Sequence, residues 1–204
     1  MENGIDNLIL PSLRKTIEQN LGEKTLNKIE QRLIERHGIN LGQAIKEFSK
    51  FDSVLREFFG AGADSLENKF LKNIVALDKT ADNNSNWFTI HDPQLTKIFL
   101  ESIGDPDKNC IMNTVIDHPL IVADILDICK IPQTSGYRKI NALIKNGLLI
   151  PSGFDETKDW KKVTKYETLH KNIKIDIEKN NVEIKVQMKK QSIEHSSIIQ
   201  TIKI

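Results

Sequence analysis

Apolar positions along the first 77 residues recur at helical spacing, not strand spacing. Leu13, Ile17 and Leu21 fall at i, i+4 and i+8, which a 3.6-residue period gathers on one face, and Gly22 is placed to stop that helix. Thr25 is a candidate cap for a second helix, with Leu26, Ile29 and Leu33 on its apolar side and Gly38 closing it. A third stripe runs through Leu41, Ala44, Ile45 and Phe48. A fourth takes Phe51, Val54, Leu55, Phe58 and Phe59 and ends at Gly60-Ala61-Gly62. Asp64 or Ser65 then opens a fifth helix carrying Leu66, Phe70, Leu71, Ile74 and Val75. Short connections between such stripes predict a helical bundle over residues 1–77.

The pattern then changes. Residues 78–86 (DKTADNNSN) hold no branched aliphatic or aromatic side chain and are rich in turn formers, so 78–92 reads as a linker. Asp92-Pro93 pairs an N-cap with proline at the first helical position and starts a helix that ends near Gly104. That helix either connects two domains or pairs with a second subunit. From Asp107 the order is helix, break, helix, tight turn, helix, strands. The first spans about 108–116, His118-Pro119 breaks the chain, and Ile121, Ile125 and Ile128 give the next helix an inward stripe. Lys130 to Gln133 makes the turn, with Ile131 packing inward as a staple. Thr134 or Ser135 caps a helix over about 134–146, which Gly147 ends before Leu148-Leu149-Ile150 leaves as a strand. Alternation through Ile173, Ile175 and Ile177, a turn at Asn180-Asn181, and Val182, Ile184 and Val186 predict a hairpin. Residues 189–204 have weak periodicity and read as a loose tail or a short strand. The predicted fold is mainly α with a small β component: a helical bundle (1–77), then a connecting helix and a winged helix-turn-helix with a C-terminal β-hairpin (93–188).

Composition adds little until it is split along the chain. With 39% hydrophobic and 28% charged residues this is an ordinary globular sequence. No apolar run approaches the roughly 18 residues needed to cross a bilayer, and the opening MENGIDNLILPSLRK has no basic segment ahead of its apolar stretch. Cys110 and Cys129 are too few for a disulfide framework and are expected as free core residues, in line with a cytoplasmic protein and no membrane. Residues 1–131 carry 15 Lys+Arg against 20 Asp+Glu, a net of −5. Residues 132–204 carry 14 against 8, a net of +6. Such asymmetry points toward nucleic acid, and the basic half begins at the 134–146 helix.

That helix divides its faces. Ile140, Leu143 and Ile144 point to the core, whereas Gln133, Thr134, Ser135, Tyr137, Arg138, Lys139 and Asn141 gather toward its N-terminal end on the other side. A helix entering a major groove needs this division, because arginine pairs bidentately with guanine and Asn or Gln with adenine. Tyr137 either reaches a phosphate through its hydroxyl or packs on the following hairpin. Lys158, Lys161, Lys162 and Lys165 sit in or beside the polar tip of that hairpin, suited to backbone contacts.

Other chemistry is thin. Cys110, Cys129 and His118 lack the one-turn spacing of zinc motifs, and no metal or cofactor is expected. Gly60-Ala61-Gly62 lacks the Lys-Ser/Thr of a phosphate loop and reads as a helix-to-helix turn. No G-x-S-x-G, H-E-x-x-H, Walker or dinucleotide motif occurs, so an enzyme is not expected. The aromatic residues Phe51, Phe58, Phe59 and Phe70 read as bundle core, with a ligand pocket or dimer interface as the alternative.

The run IPQTSGYRKINALIKNGLLIPSG, followed by a lysine-rich wing and KYETLHKNIKIDIEKNNVEIKVQM, resembles the ArsR-like winged-helix regulators of ammonia-oxidising archaea over residues 107–188, about two fifths of the chain. The resemblance implies a DNA-facing role for Thr134, Ser135, Tyr137, Arg138 and Lys139. The chain lacks the Cys-x-Cys pair of metal-sensing relatives. More weakly, residues 10–77, with FFGAGADSLE, are similar to a helical output domain of archaeal (Nitrosopumilus-type) signalling proteins. The expected function is sequence-specific binding of double-stranded DNA in transcriptional regulation, as a homodimer, with a signalling partner or small-molecule effector at the N-terminal bundle. The alternative is a protein-interaction adaptor with no intrinsic DNA affinity.

Overall fold

Capping chemistry written into the sequence sets several helix ends in the computed structural model, which describes residues 4–77, 86–156, 162–179 and 181–202. The fold is mainly α-helical, with a smaller β component in two small antiparallel sheets. The N-terminal helices are α1 (Gly4–Leu21), α2 (Glu23–His37), α3 (Leu41–Lys46), α4 (Phe48–Phe59) and α5 (Gly62–Lys72). Gly22, not Thr25, stands at the N-cap of α2. Asn40 and Gln43 exchange side-chain and backbone hydrogen bonds in a capping box at α3. The fifth helix begins at Gly62, ahead of the expected Asp64 or Ser65. Leu13, Ile17, Ile29, Leu33, Phe48, Phe51, Val54, Leu55 and Phe70 are fully buried. Phe58 is not part of this core; it is 41% exposed.

A strand, β1 (Val75–Leu77), follows the bundle, and β2 (Trp87–Ile90) occupies most of the described part of the segment read as a linker. Helix α6 (Pro93–Gly104) starts as expected: Asp92 accepts from the Leu95 amide at 2.8 Å with Pro93 at the first position. The same carboxylate accepts from Ser12 Oγ of α1 at 2.8 Å, tying the two regions together. Next come α7 (Pro106–Thr114), β3 (Leu120–Ile121), α8 (Val122–Ile128), α9 (Gln133–Lys145), β4 (Leu149–Glu156) and β5 (Lys162–Thr168). The chain continues with β6 (His170–Glu178) and β7 (Asn181–Met188), and residues 190–202 form α10 (Lys190–Glu194) and α11 (Ser197–Ile202), not a strand.

The strands join in the orders β1-β2-β7-β6 and β3-β5-β4. In the β6–β7 hairpin, Glu178 pairs with Asn181. Asn181 therefore belongs to β7 and not to the turn expected at Asn180-Asn181, and Lys179 takes a left-handed φ of 57°; Asn180 lies outside the described residues. Asp6 in the first turn of α1 accepts from the Ser197 amide and hydroxyl at 2.9 and 2.8 Å, anchoring the C-terminal helices to the bundle. One apolar core runs from the bundle through Leu95 and Phe99 of α6 to Ile140 and Leu143 of α9 and Ile184 and Val186 of β7.

The expectation of free cysteines is corrected: Cys110 of α7 and Cys129, at the end of α8, form a disulfide with Cα atoms 6.0 Å apart. That spacing suits a bridge, and only folding makes it visible, because the two lie 19 residues apart in sequence. No described helix is long and apolar enough to cross a membrane.

Candidate nucleic-acid interface

Helix α9 is held in place by tight contacts at both ends. After α8, Lys130 adopts a left-handed φ of 54°. The Ile131 amide returns to the Leu126 carbonyl at 3.0 Å and the Lys130 amide to Asp127 at 3.1 Å. This is a Schellman closure built on a lysine where glycine is usual. At the far end, Gly147 (φ 73°) makes the same closure, with the Leu148 amide on the Leu143 carbonyl at 2.9 Å. A Cβ at Gly147 would lie 2.8 Å from the Leu8 amide nitrogen of α1, so both the conformation and the space demand glycine. Between them, a Cβ at Gly136 would meet Leu126 Cδ2 at 2.3 Å. The missing side chain is what lets α9 cross α8 this closely.

The N-cap of α9 is Pro132, not Thr134 or Ser135, and no side chain caps the helix. Ser135 Oγ donates back to the Pro132 carbonyl at 3.1 Å, and the first helical bond runs from the Gly136 amide to Pro132 at 2.9 Å. The amides of Gln133, Thr134 and Ser135 therefore stand at the open, electropositive end of the helix. Gln133, Thr134, Tyr137, Arg138 and Asn141 are exposed, and Tyr137 is 47% exposed. Thr134, Arg138 and Asn141 fall one turn apart along a single stripe. Ser135 is half-buried.

Lys139 stands apart from this set. Its Nζ lies 2.6 and 2.8 Å from the two oxygens of Asp105 and 2.9 Å from Asp107, at the start of α7. The hydrogen bond from Lys139 holds the Asp105 carboxyl below its ordinary value, and the two aspartates raise the ammonium. Asp105 also caps α7 through the Asp107 and Lys108 amides at 3.0 and 3.1 Å. One carboxylate thus starts α7 and fastens α9 to it. Sequence reading put Lys139 with its polar neighbours because a partner 34 residues away leaves no local trace.

Strands β4 and β5 form a hairpin in which Glu156 pairs with Lys162. The expected contacts Lys158 and Lys161 lie outside the described residues. Lys162 is exposed at the first position of β5. Lys165 is half-buried, pairs with Asp155 at 3.4 Å, and lies opposite Ile121 of β3. Sequence reading missed Phe154, 64% exposed on β4 beside a bulge between Pro151 and Phe154. Ile128, expected to face inward, is 57% exposed, and Leu126 takes the buried position. A groove of about 490 Å³ runs beside the α8–α9 turn, lined by Leu126, Asp127, Ile131, Pro132, Gln133 and Tyr137.

Away from α9, one cluster has metal-ligand character. Oxygens of Asp52, Asp64 and Glu67 lie within 4.8 Å of one another. The Arg56 guanidinium already sits among them, 2.7 Å from Asp52 and 2.5 Å from Asp64, and supplies the countercharge. Glu67 is buried, and its pKa is pushed up to about 8, chiefly by burial and then by the charge of Asp52.

Compared with known protein families, curated proteins and solved structures, the chain has no match.

Proposed function

We propose that the chain is a sequence-specific double-stranded DNA-binding regulator that reads the major groove with α9. The carrying observation is the face of α9 itself: Thr134, Arg138 and Asn141 exposed along one stripe, with Gln133 and Tyr137 beside it and helix amides without a side-chain cap. These groups match what base edges and a phosphate require. The element order α7-β3-α8-α9-β4-β5, with sheet order β3-β5-β4, supports a winged helix-turn-helix over residues 106–168. Lys162 then stands on the wing strand, next to the segment that carries Lys158 and Lys161. In this proposal the protein acts as a homodimer on two half-sites, in the cytoplasm. A reducing compartment would open the Cys110–Cys129 bond.

The test is selection of bound sites from a random duplex library, followed by anisotropy titration at two salt concentrations. An enriched site is expected, with half-site spacing reporting the dimer. Arg138→Ala should weaken binding to it by about 1–3 kcal/mol, or roughly 5- to 150-fold, with the fold intact. No duplex affinity at low salt from folded protein refutes the proposal.

One observation favours a second reading. Ile128 and Tyr137 are exposed apolar side chains near the α8–α9 groove, a surface that suits a protein partner. An adaptor of this kind would bind no duplex at any salt concentration, and the same titration separates the two.

A further inference from the structure

A second cavity, of about 250 Å³, opens between α7 and β6. Its apolar wall is Met112 and Ile116 on one side and Ile173 and Ile175 on the other. The alternating isoleucines of β6 pair across the hairpin with β7: Ile173 with Val186, and Ile175 with Ile184. Val186 and Ile184 are fully buried, whereas Ile173 and Ile175 are only half-buried. The apolar face is therefore covered over β7 and left open over β6.

The polar side of the cavity comes from a break in the strand. The register shifts between His170 and Asn172, so Lys171 has no partner on β7 and the local pleat is interrupted. In a regular strand, consecutive side chains point to opposite faces. With the bulge, His170, Lys171 and Asn172 all line the cavity. His170 is 3% exposed and its Nδ1 has no hydrogen-bond partner. A buried polar atom left in that state costs on the order of 1–3 kcal/mol, which a ligand able to hydrogen-bond the ring would recover. Burial also keeps this imidazole neutral, so it offers one donor and one acceptor and no charge. Lys171 is exposed at the rim and is the one charged side chain among the cavity's lining residues.

We propose that this cavity binds a small carboxylic acid with a compact apolar body, its carboxylate at Lys171, its body between α7 and the β6 isoleucines, and a hydroxyl or similar group on His170. The cavity's size suits a single-ring molecule. The inference does not rest on DNA binding.

The experiment titrates the full chain with 4-hydroxybenzoate, benzoate, benzyl alcohol and benzylamine, followed by backbone and histidine-ring NMR shifts. Saturable shifts at His170, Ile173 and Met112 are expected, strongest for 4-hydroxybenzoate and weakest for the amine. Lys171→Glu, a surface change, should weaken both acids by roughly fivefold or more and favour benzylamine. His170→Phe should erase the advantage of 4-hydroxybenzoate over benzoate. If His170→Phe does not fold, Lys171→Glu still decides. Unsaturable shifts for every probe overturn the proposal, as does an acid-over-amine order that Lys171→Glu leaves unchanged.

Discussion

Replacing Glu67 with glutamine should make the protein more stable, and increasingly so as pH rises. Glu67 is 1% exposed on α5, and its Oε1 has no hydrogen-bond partner. Asp52 of α4 brings a second negative charge to it, and Arg56 offsets only part of the cost. The carboxyl is therefore held at about 8 instead of 4.5. The folded protein keeps a proton there that the unfolded chain releases near 4.5. Stability from this group is thus complete below pH 4.5, declines as pH rises, and is lost once pH passes 8. At about 1.4 kcal/mol per pH unit, the full span corresponds to on the order of 5 kcal/mol, and relaxation around the pair reduces what is realised to a few kcal/mol. Glutamine imitates the protonated acid in shape and donors but never ionises. Urea unfolding of both proteins between pH 5 and 9 measures the difference. The curves should nearly coincide at pH 5, with Glu67→Gln the more stable by a few kcal/mol at pH 9. Parallel curves would falsify the assignment of a protonated Glu67.

His170 gives the opposite slope. Burial, with help from Lys189, lowers it to about 4 from 6.5, so its contribution is present above pH 6.5 and is lost as pH falls through 4, about 3 kcal/mol in all. Its ring resonances should stay those of a neutral imidazole at pH 5.5; protonation near 6.5 would contradict the burial. Reducing the Cys110–Cys129 bond, which closes a loop 19 residues apart in sequence, should cost about 3 kcal/mol and lower Tm by roughly 10 °C. An unchanged Tm under reductant sinks that estimate. Lys139→Met should lower stability yet leave the salt dependence of duplex binding as it was, whereas Lys162→Ala should reduce the slope of log K against log salt by about 1. A slope that falls with Lys139→Met would mean the ammonium leaves Asp105 for a phosphate.

What could be read from the sequence was chemistry that acts within a few residues. The Asp92-Pro93 start of α6, the stops at Gly38 and Gly147, and the bundle's first three stripes reappear, because caps and amphipathic faces are local properties; the fourth loses Phe58 to the surface, and the fifth helix ends at Lys72, short of Ile74 and of Val75, which opens β1. The parts that escaped are set by distant partners. Trp87–Ile90 follows a polar stretch and looks like the end of a linker until β1 and β7 flank it. Leu120–Ile121 is too short to register as a strand, and exists because Tyr166 and Lys165 pair with it. The disulfide and the Lys139 clamp are contacts of the same kind, as is the cavity: Met112 and Ile173 each look like ordinary core residues.

Arg138 and Lys139 show how far such distant contacts decide a role. They are adjacent, both cationic, and indistinguishable by type to any rule about DNA-facing helices. A 100° step around α9 separates them. On Lys139's side the helix meets α7, where Asp105 is already committed to capping that helix and holds its carboxylate in the ammonium's path. The same inner surface carries Gly136 against Leu126, with Ile140 and Leu143 in the core. These contacts fix the helix rotation and leave Thr134, Arg138 and Asn141 as its outward stripe. The proposed reading surface is what remains after packing has claimed the other positions, so it is narrower than composition suggests, with Arg138 in the middle of its stripe.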